Sequence, residues 1–166
     1  MFSLVKPDSD LARMAWQHVE ECDLGVMVTA DANGQPHATW MNFQTKGYLD
    51  EIFTITVPTT QKVANLRANP RTEWMFWQPG CQAESIVYVT GETRIVEGEA
   101  VRPWWDAMPG KSRLFIRRYS ESDDPLQFVA LVTKVTSVVC SCPVLYRKTA
   151  VVGPGVEEER AAQAGK

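Results

Sequence analysis

Thr59, Thr60 and Lys62 follow a β-branched run that ends at Pro58, in the stretch TITVPTTQKVANLRANP (54–70). Two hydroxyls and one ammonium at the start of a short helix have two possible uses. A helix start carries unpaired N–H groups and a partial positive charge. Thr59 or Thr60 can spend its oxygen on those N–H groups as an ordinary cap, with Lys62 left as a solvated first-turn residue. Alternatively, hydroxyls, N–H groups and ammonium converge on one phosphate. From these residues alone capping is the simpler use. A first-turn lysine nevertheless opposes the helix dipole, and so asks for a reason. In the preceding run, FTITV (53–57), threonines alternate with apolar residues. One face can offer hydroxyls and backbone groups to a flat polar ring while the other packs inward.

Few other reactive sets are present. The chain has no GxSxG, no Ser-His-Asp set in a usable context, no Walker loop and no paired carboxylates at catalytic positions. Any chemistry then belongs to a cofactor, with the protein supplying orientation and electrostatics. No residue is therefore assigned a catalytic role. Cys22, Cys81, Cys140 and Cys142 read as buried thiols, because Cys140-Ser-Cys142 lacks the further spaced ligands of a zinc site. His37 reads as a strand histidine and His18 as a packed helix residue. Arg113, Arg117 and Arg118 read as a solvated face paired with Glu121, Asp123 and Asp124. Trp74 and Trp77 lie three apart on one strand and so point to opposite faces. Core or interface packing is the simpler role for these tryptophans and for Trp104-Trp105, with stacking on a cofactor as the alternative.

The elements that must hold these groups follow from pattern. The chain has 166 residues, which suits one domain, expected over 1–148 with a flexible tail over 149–166. Hydrophobic residues make up 45% and net charge is −3. That balance offers no field for nucleic acid or an anionic membrane, and no apolar run is long enough to span one. The N-terminus lacks a secretory layout, so a cytoplasmic location is expected.

A first helix is expected over 8–22, capped by Ser9 or Asp8, with Leu11, Met14, Ala15, His18 and Val19 on one stripe. Strands are expected at 24–30, 35–43 and 51–57, joined by the Asn33-Gly34 hairpin and a turn at Lys46-Gly47 into a meander. A short helix follows, reaching about Ala68 and stopped by Asn69-Pro70. Further strands are expected at 72–77, 85–97 and 126–140, with Gly91 marking a bulge. Residues 99–120 read as helix in pieces, broken at Pro103 and at Pro109-Gly110. Six strands with hairpin connections and no βαβ rhythm imply a mainly β protein with flanking helices, closed as an antiparallel barrel around one core.

The succession NGQPHATWMNF, IFTITVPTTQKVANLRANPR and a strand ending in GETRIV resembles the pyridoxamine 5'-phosphate oxidase-like, FMN-binding split-barrel family, in the style of its general stress protein branch. The likeness spans roughly residues 10 to 140. It implies a six-stranded antiparallel split β-barrel, a homodimer with two FMN sites at its interface, and hydride transfer to or from a small organic molecule. By position, Thr60 and Lys62 resemble the residues that hold the flavin phosphate. Thr39, Trp40 and Met41 resemble the strand along the isoalloxazine ring, and Thr54, Ile55 and Thr56 the strand at its polar edge and ribityl chain. Gln61 stands where an arginine is common, and Ile86 where the oxidases proper carry a glutamine. The family's pyridoxamine-phosphate contacts are absent from TSVVCSCPVLYRK, which points away from vitamin B6 oxidation. Alternatives are a non-catalytic flavin-binding stress protein, and a split barrel that uses deazaflavin or haem or has lost its cofactor.

Overall fold

The computed structural model describes residues 10–77, 86–142 and 147–152. The Ser9 or Asp8 cap, the turn at Gln78–Cys81 and the tail beyond 152 lie outside the described residues. Helix α1 spans Asp10–Glu20 and is followed by β1 (Gly25–Ala30), β2 (Pro36–Met41), β3 (Gln44–Lys46) and β4 (Glu51–Thr56). Then come α2 (Gln61–Ala68), β5 (Arg71–Phe76) and β6 (Ile86–Val96). A 3-10 turn at Gly98–Val101 leads into α3 (Arg102–Ala107) and α4 (Gly110–Ser120). A second 3-10 turn at Pro125–Gln127 precedes β7 (Val129–Cys142), and β8 (Arg147–Val152) ends the described chain.

All strand pairings are antiparallel, in the order β2-β1-β5-β6-β7-β4-β3, with β8 also on β7. The path begins at β2 and ends at β3, yet only Asn42 and Phe43 separate these strands in the chain. The sheet must therefore curl until its ends meet. The result is an antiparallel barrel split along one seam, where the Thr54 hydroxyl donates to the Asn42 carbonyl at 2.6 Å.

Three expectations need correction. Among the described residues there are eight strands, not six, since Gln44–Lys46 and Arg147–Val152 also pair. The expected boundary at 148 thus falls inside β8. The first three expected strands form no simple meander: β2 returns on β1, but β4 pairs with β3 and β7. Pattern marks a strand but not its partner, and β7 lies far along the chain. Pro103 starts a helix instead of breaking one, because its missing N–H costs nothing in a first turn.

The core also divides. The barrel interior packs Met27, Ile52, Trp74, Phe76, Val87, Val89 and Leu131. A second cluster forms outside, where Phe53 and Ile55 of β4 and Ala130 and Val132 of β7 meet Val101, Trp105, Met108 and Phe128. Both faces of β4 are therefore buried, so its alternation of Thr and apolar residues does not mark a wet face. Inside the barrel the polar side chains are paired: Thr93 bridges Thr72 (2.8 Å) and Thr133 (2.7 Å), and Trp74 Nε1 donates to Thr133 at 3.0 Å.

Gly91 is the bulge. The β6–β7 register shifts between Thr90 and Gly91, and a Cβ there would sit 2.2 Å from the Lys134 carbonyl oxygen. Backbone cannot retreat from that contact as a side chain can. Gly91→Ala is expected to destabilise the protein by about 1–3 kcal/mol, as overpacking does. A urea midpoint equal to wild type would contradict this packing.

Candidate functional site

The site grows from the end of β4. Pro58 cannot donate to a ladder, so pairing stops and the chain turns into α2. Thr60 has the extended backbone of an N-cap (φ −77°, ψ 152°), but its side chain does not cap the helix. Its hydroxyl donates backward to the Val57 carbonyl at 3.1 Å. The side-chain cap expected of Thr60 is therefore not formed, because the hydroxyl bonds to the preceding strand end instead of the helix N–H groups.

Lys62 lies two residues further on, half-buried, and its Nζ donates to the Thr56 hydroxyl at 3.3 Å. Burial depresses its pKa below the ordinary lysine value. A half-buried ammonium with a neutral hydroxyl for its partner is an unsolved charge, which an anion would relieve.

This ammonium opens into a cavity of about 330 Å³. Its strand side is built from Thr39, Trp40 and Met41 of β2, then Asn42, then Thr54, Ile55 and Thr56 of β4 with Val57. Its helix side is built from Met108 and from Phe115, Ile116, Tyr119 and Ser120 of α4. Lys62 is the one charged side chain among the described lining residues. Asn42 adds a buried side-chain oxygen with no partner. The volume suits one small ligand, and the mix of apolar walls with a few polar groups is that of a ligand pocket.

Seven of the eight residues singled out by sequence thus share one cavity: Thr39, Trp40, Met41, Thr54, Ile55, Thr56 and Lys62. Thr60 does not line it. Sequence reasoning missed Asn42 and the whole helix side. Phe115, Ile116 and Tyr119 at i, i+1 and i+4 were the available signal, since that spacing shares a helix face. The neighbouring arginines lie off this wall, and Arg117 pairs with Asp123 at 3.1 Å on the exposed surface.

The remaining candidates lie elsewhere. His37 Nε2 is 3.7 Å from Asp31 Oδ2 beside the β1–β2 hairpin, and His18 sits on α1. Trp104 packs edge-on against Phe53 under Lys46 and Arg94. Cys22 and Cys140 are free thiols, and desolvation pushes both pKa values up to about 11. That keeps them protonated and unreactive near neutral pH.

The family model for pyridoxamine 5'-phosphate oxidase matches residues 15–140, most of the chain. The chain belongs to the pyridoxamine 5'-phosphate oxidase family. No curated protein matches it closely. Among solved structures, General Stress Protein 26 from Bacillus anthracis superposes with a TM-score of 0.67 at 15% identity, covering 86% of this chain and 99% of that one. A haem-binding protein from Mycobacterium smegmatis gives 0.70 at 18% identity, covering 90% of this chain and 60% of that one. A pyridoxamine 5'-phosphate oxidase-related, FMN-binding protein from Nostoc punctiforme gives 0.63 at 13% identity, covering 88% and 96%. At these identities the likeness establishes the split-barrel fold. Among the described residues, no helix of this family member is long and apolar enough to cross a membrane.

An anion held at Lys62 would give the cavity a pH signature. Only the protonated Lys62 attracts an anion, and its depressed pKa means the proton leaves earlier than from an ordinary lysine. Affinity for a phosphorylated ligand is therefore expected to fall as pH rises through that lowered pKa. An affinity flat up to the ordinary lysine range would contradict a phosphate at Nζ.

Proposed function

We propose that this protein is an FMN-binding oxidoreductase whose cavity between β2, β4 and α4 holds the flavin, with the phosphate at Lys62. The single observation that carries this reading is the half-buried Lys62 ammonium lining a cavity of about 330 Å³ with the Thr56 hydroxyl as its one partner among the described residues. Thr39, Trp40 and Met41 would lie along the ring, and Thr54, Ile55 and Thr56 at its polar edge and ribityl chain. Thr60 would shape the turn before Lys62, since its hydroxyl is committed to Val57. Bound FMN supplies hydride transfer to or from a small organic molecule. The chain's own residues bind and orient it, and the apolar residues Ile55, Met108 and Ile116 keep water from its surroundings.

Flavin is favoured over haem by the walls themselves. Neither His18 nor His37 lines the cavity, so the commonest haem ligand is missing from the described residues around it. The family membership and the FMN-binding relative support the same choice.

We further propose that the protein is a cytoplasmic homodimer. Leu114 on α4 and Leu126 on the second 3-10 turn stay exposed, as interface residues would in a lone protomer. A dimer is expected by sedimentation at micromolar concentration; a monomer would contradict it.

The visible spectrum after addition of FMN tests the function. Bands retained through gel filtration support it. A colourless protein that ignores FMN would overturn it, and retention of a deazaflavin or haem instead would name the other cofactor.

A further inference from the structure

Asn65 stands inside α2, at a position where an apolar residue would serve both the helix and the core better. It is 1% exposed, beside Val63 and Leu66, which pack into the barrel interior. Its side-chain amide is bonded at both ends. Nδ2 donates to the Thr29 hydroxyl of β1 at 3.0 Å, and Oδ1 accepts from Gln61 Nε2 at 2.8 Å. Thr29 is also buried. Both bonds lie inside one protomer, so a partner subunit can only bury them further. None of the three residues lines the cavity. Helix α2 has eight residues and no side-chain cap at Thr60, so it is too short to hold its own shape. Packing of Val63 and Leu66 keeps it on the barrel but has no direction, whereas a hydrogen bond fixes distance and angle. The Asn65 amide therefore sets how far α2 is rotated against β1. Lys62 lies three residues earlier on the same helix, and its long stem turns a small rotation into a large displacement of Nζ. Gln61 belongs to the same tie: its side chain runs along the helix to Asn65 and not into the cavity.

We propose that Asn65 is a positioning residue: its buried amide, tied to Thr29 and Gln61, fixes the rotation of α2 and so keeps the Lys62 ammonium at the phosphate end of the cavity. This rests on the proposed function, which gives Lys62 to the flavin phosphate. Asn65 lies outside the cavity and acts through Lys62. Loosening the tie weakens recognition of the phosphate and leaves recognition of the flavin ring alone.

The test compares FMN with riboflavin in three variants, with folding checked by circular dichroism. Asn65→Leu removes both bonds at nearly constant size, Thr29→Val removes the β1 end of the tie, and Thr29→Ser keeps a hydroxyl there. The preference for FMN over riboflavin is expected to shrink at least about threefold in Asn65→Leu and Thr29→Val. Riboflavin affinity should stay within about twofold of wild type, and Thr29→Ser should keep the wild-type preference. In a Lys62→Ala background the same substitutions should change the preference no further, because no ammonium is left to position. A merely structural asparagine would lower the thermal midpoint without separating the two flavins. An undiminished preference in the folded variants, an equal loss of affinity for both flavins, or a further loss of preference without the ammonium would overturn the positioning role. The wild-type preference is read first and separately. If wild type does not prefer FMN, the proposed function falls on that result, and the tie is decided in the empty protein by NMR titration of the Lys62 side chain. Release of the half-buried ammonium in Asn65→Leu or Thr29→Val should raise its depressed pKa toward the ordinary lysine value, and an unmoved titration would overturn the tie.

Discussion

Trp74→Ala is expected to cost about 3–5 kcal/mol, the range for truncating a large buried aromatic. Trp74 is fully buried, lies parallel to Phe76 with centroids 5.9 Å apart, and meets Phe43 at 6.2 Å. Its indole also anchors the buried hydroxyl chain through Thr133. Removing it leaves a cavity at the centre of the barrel and strips Thr133 of one partner. For a chain of this size, each kcal/mol moves the thermal midpoint by about 2–4 °C, so a drop of about 6–20 °C should be seen. Trp74→Phe separates the two contributions. It keeps most of the ring but loses the donor, and Thr133 keeps its bond to Thr93, so a loss of about 1–2 kcal/mol is expected. A Trp74→Ala midpoint within a degree or two of wild type would show that the barrel does not rest on this residue.

Lys62→Ala carries the largest expected effect on function. A charge-assisted bond to a phosphate contributes about 1.5–3 kcal/mol, which corresponds to roughly 10- to 150-fold in FMN affinity. Stability without the ligand should barely change. The ammonium is half-buried, shifted by desolvation and, among the described residues, bonded to the Thr56 hydroxyl alone, so it contributes little to the empty protein. Lys62→Met keeps the apolar stem while removing the charge. It should bind FMN as poorly as the alanine variant and be no less stable than wild type. A large loss of stability in both variants would make Lys62 a structural residue.

Local chemistry was legible in the sequence, and long-range pairing was not. The Asn33-Gly34 hairpin is present, with Gly34 at φ +83° and β2 returning on β1 as expected. The Gly91 bulge and the Pro58 stop are present for the reasons their side chains dictate. The β4 end of the site could be named because a β-branched run ending in proline and followed by hydroxyls is a local signature, whereas Thr39, Trp40 and Met41 of β2 were assigned only through the family resemblance. What failed depended on partners distant in the chain. β4 pairs with β7, more than seventy residues later, and this pairing buries both faces of a strand that reads as one-sided. The α4 wall lies fifty residues beyond Lys62, so nothing local ties Phe115 to the opening stretch. Thr60 marks a subtler limit. The N-cap position was right, but where a hydroxyl points depends on rotamer and neighbours that pattern does not specify.

A comparison of FMN with riboflavin most directly tests the claim that Lys62 grips a flavin phosphate, because the two ligands differ only in that group. Affinities for wild type and Lys62→Ala are to be measured in one buffer by fluorescence titration. Wild type should bind FMN at least about tenfold tighter than riboflavin, and the gap should close in the variant while riboflavin affinity stays nearly constant. Equal affinity of wild type for the two flavins, or a gap that survives loss of the ammonium, would contradict the account.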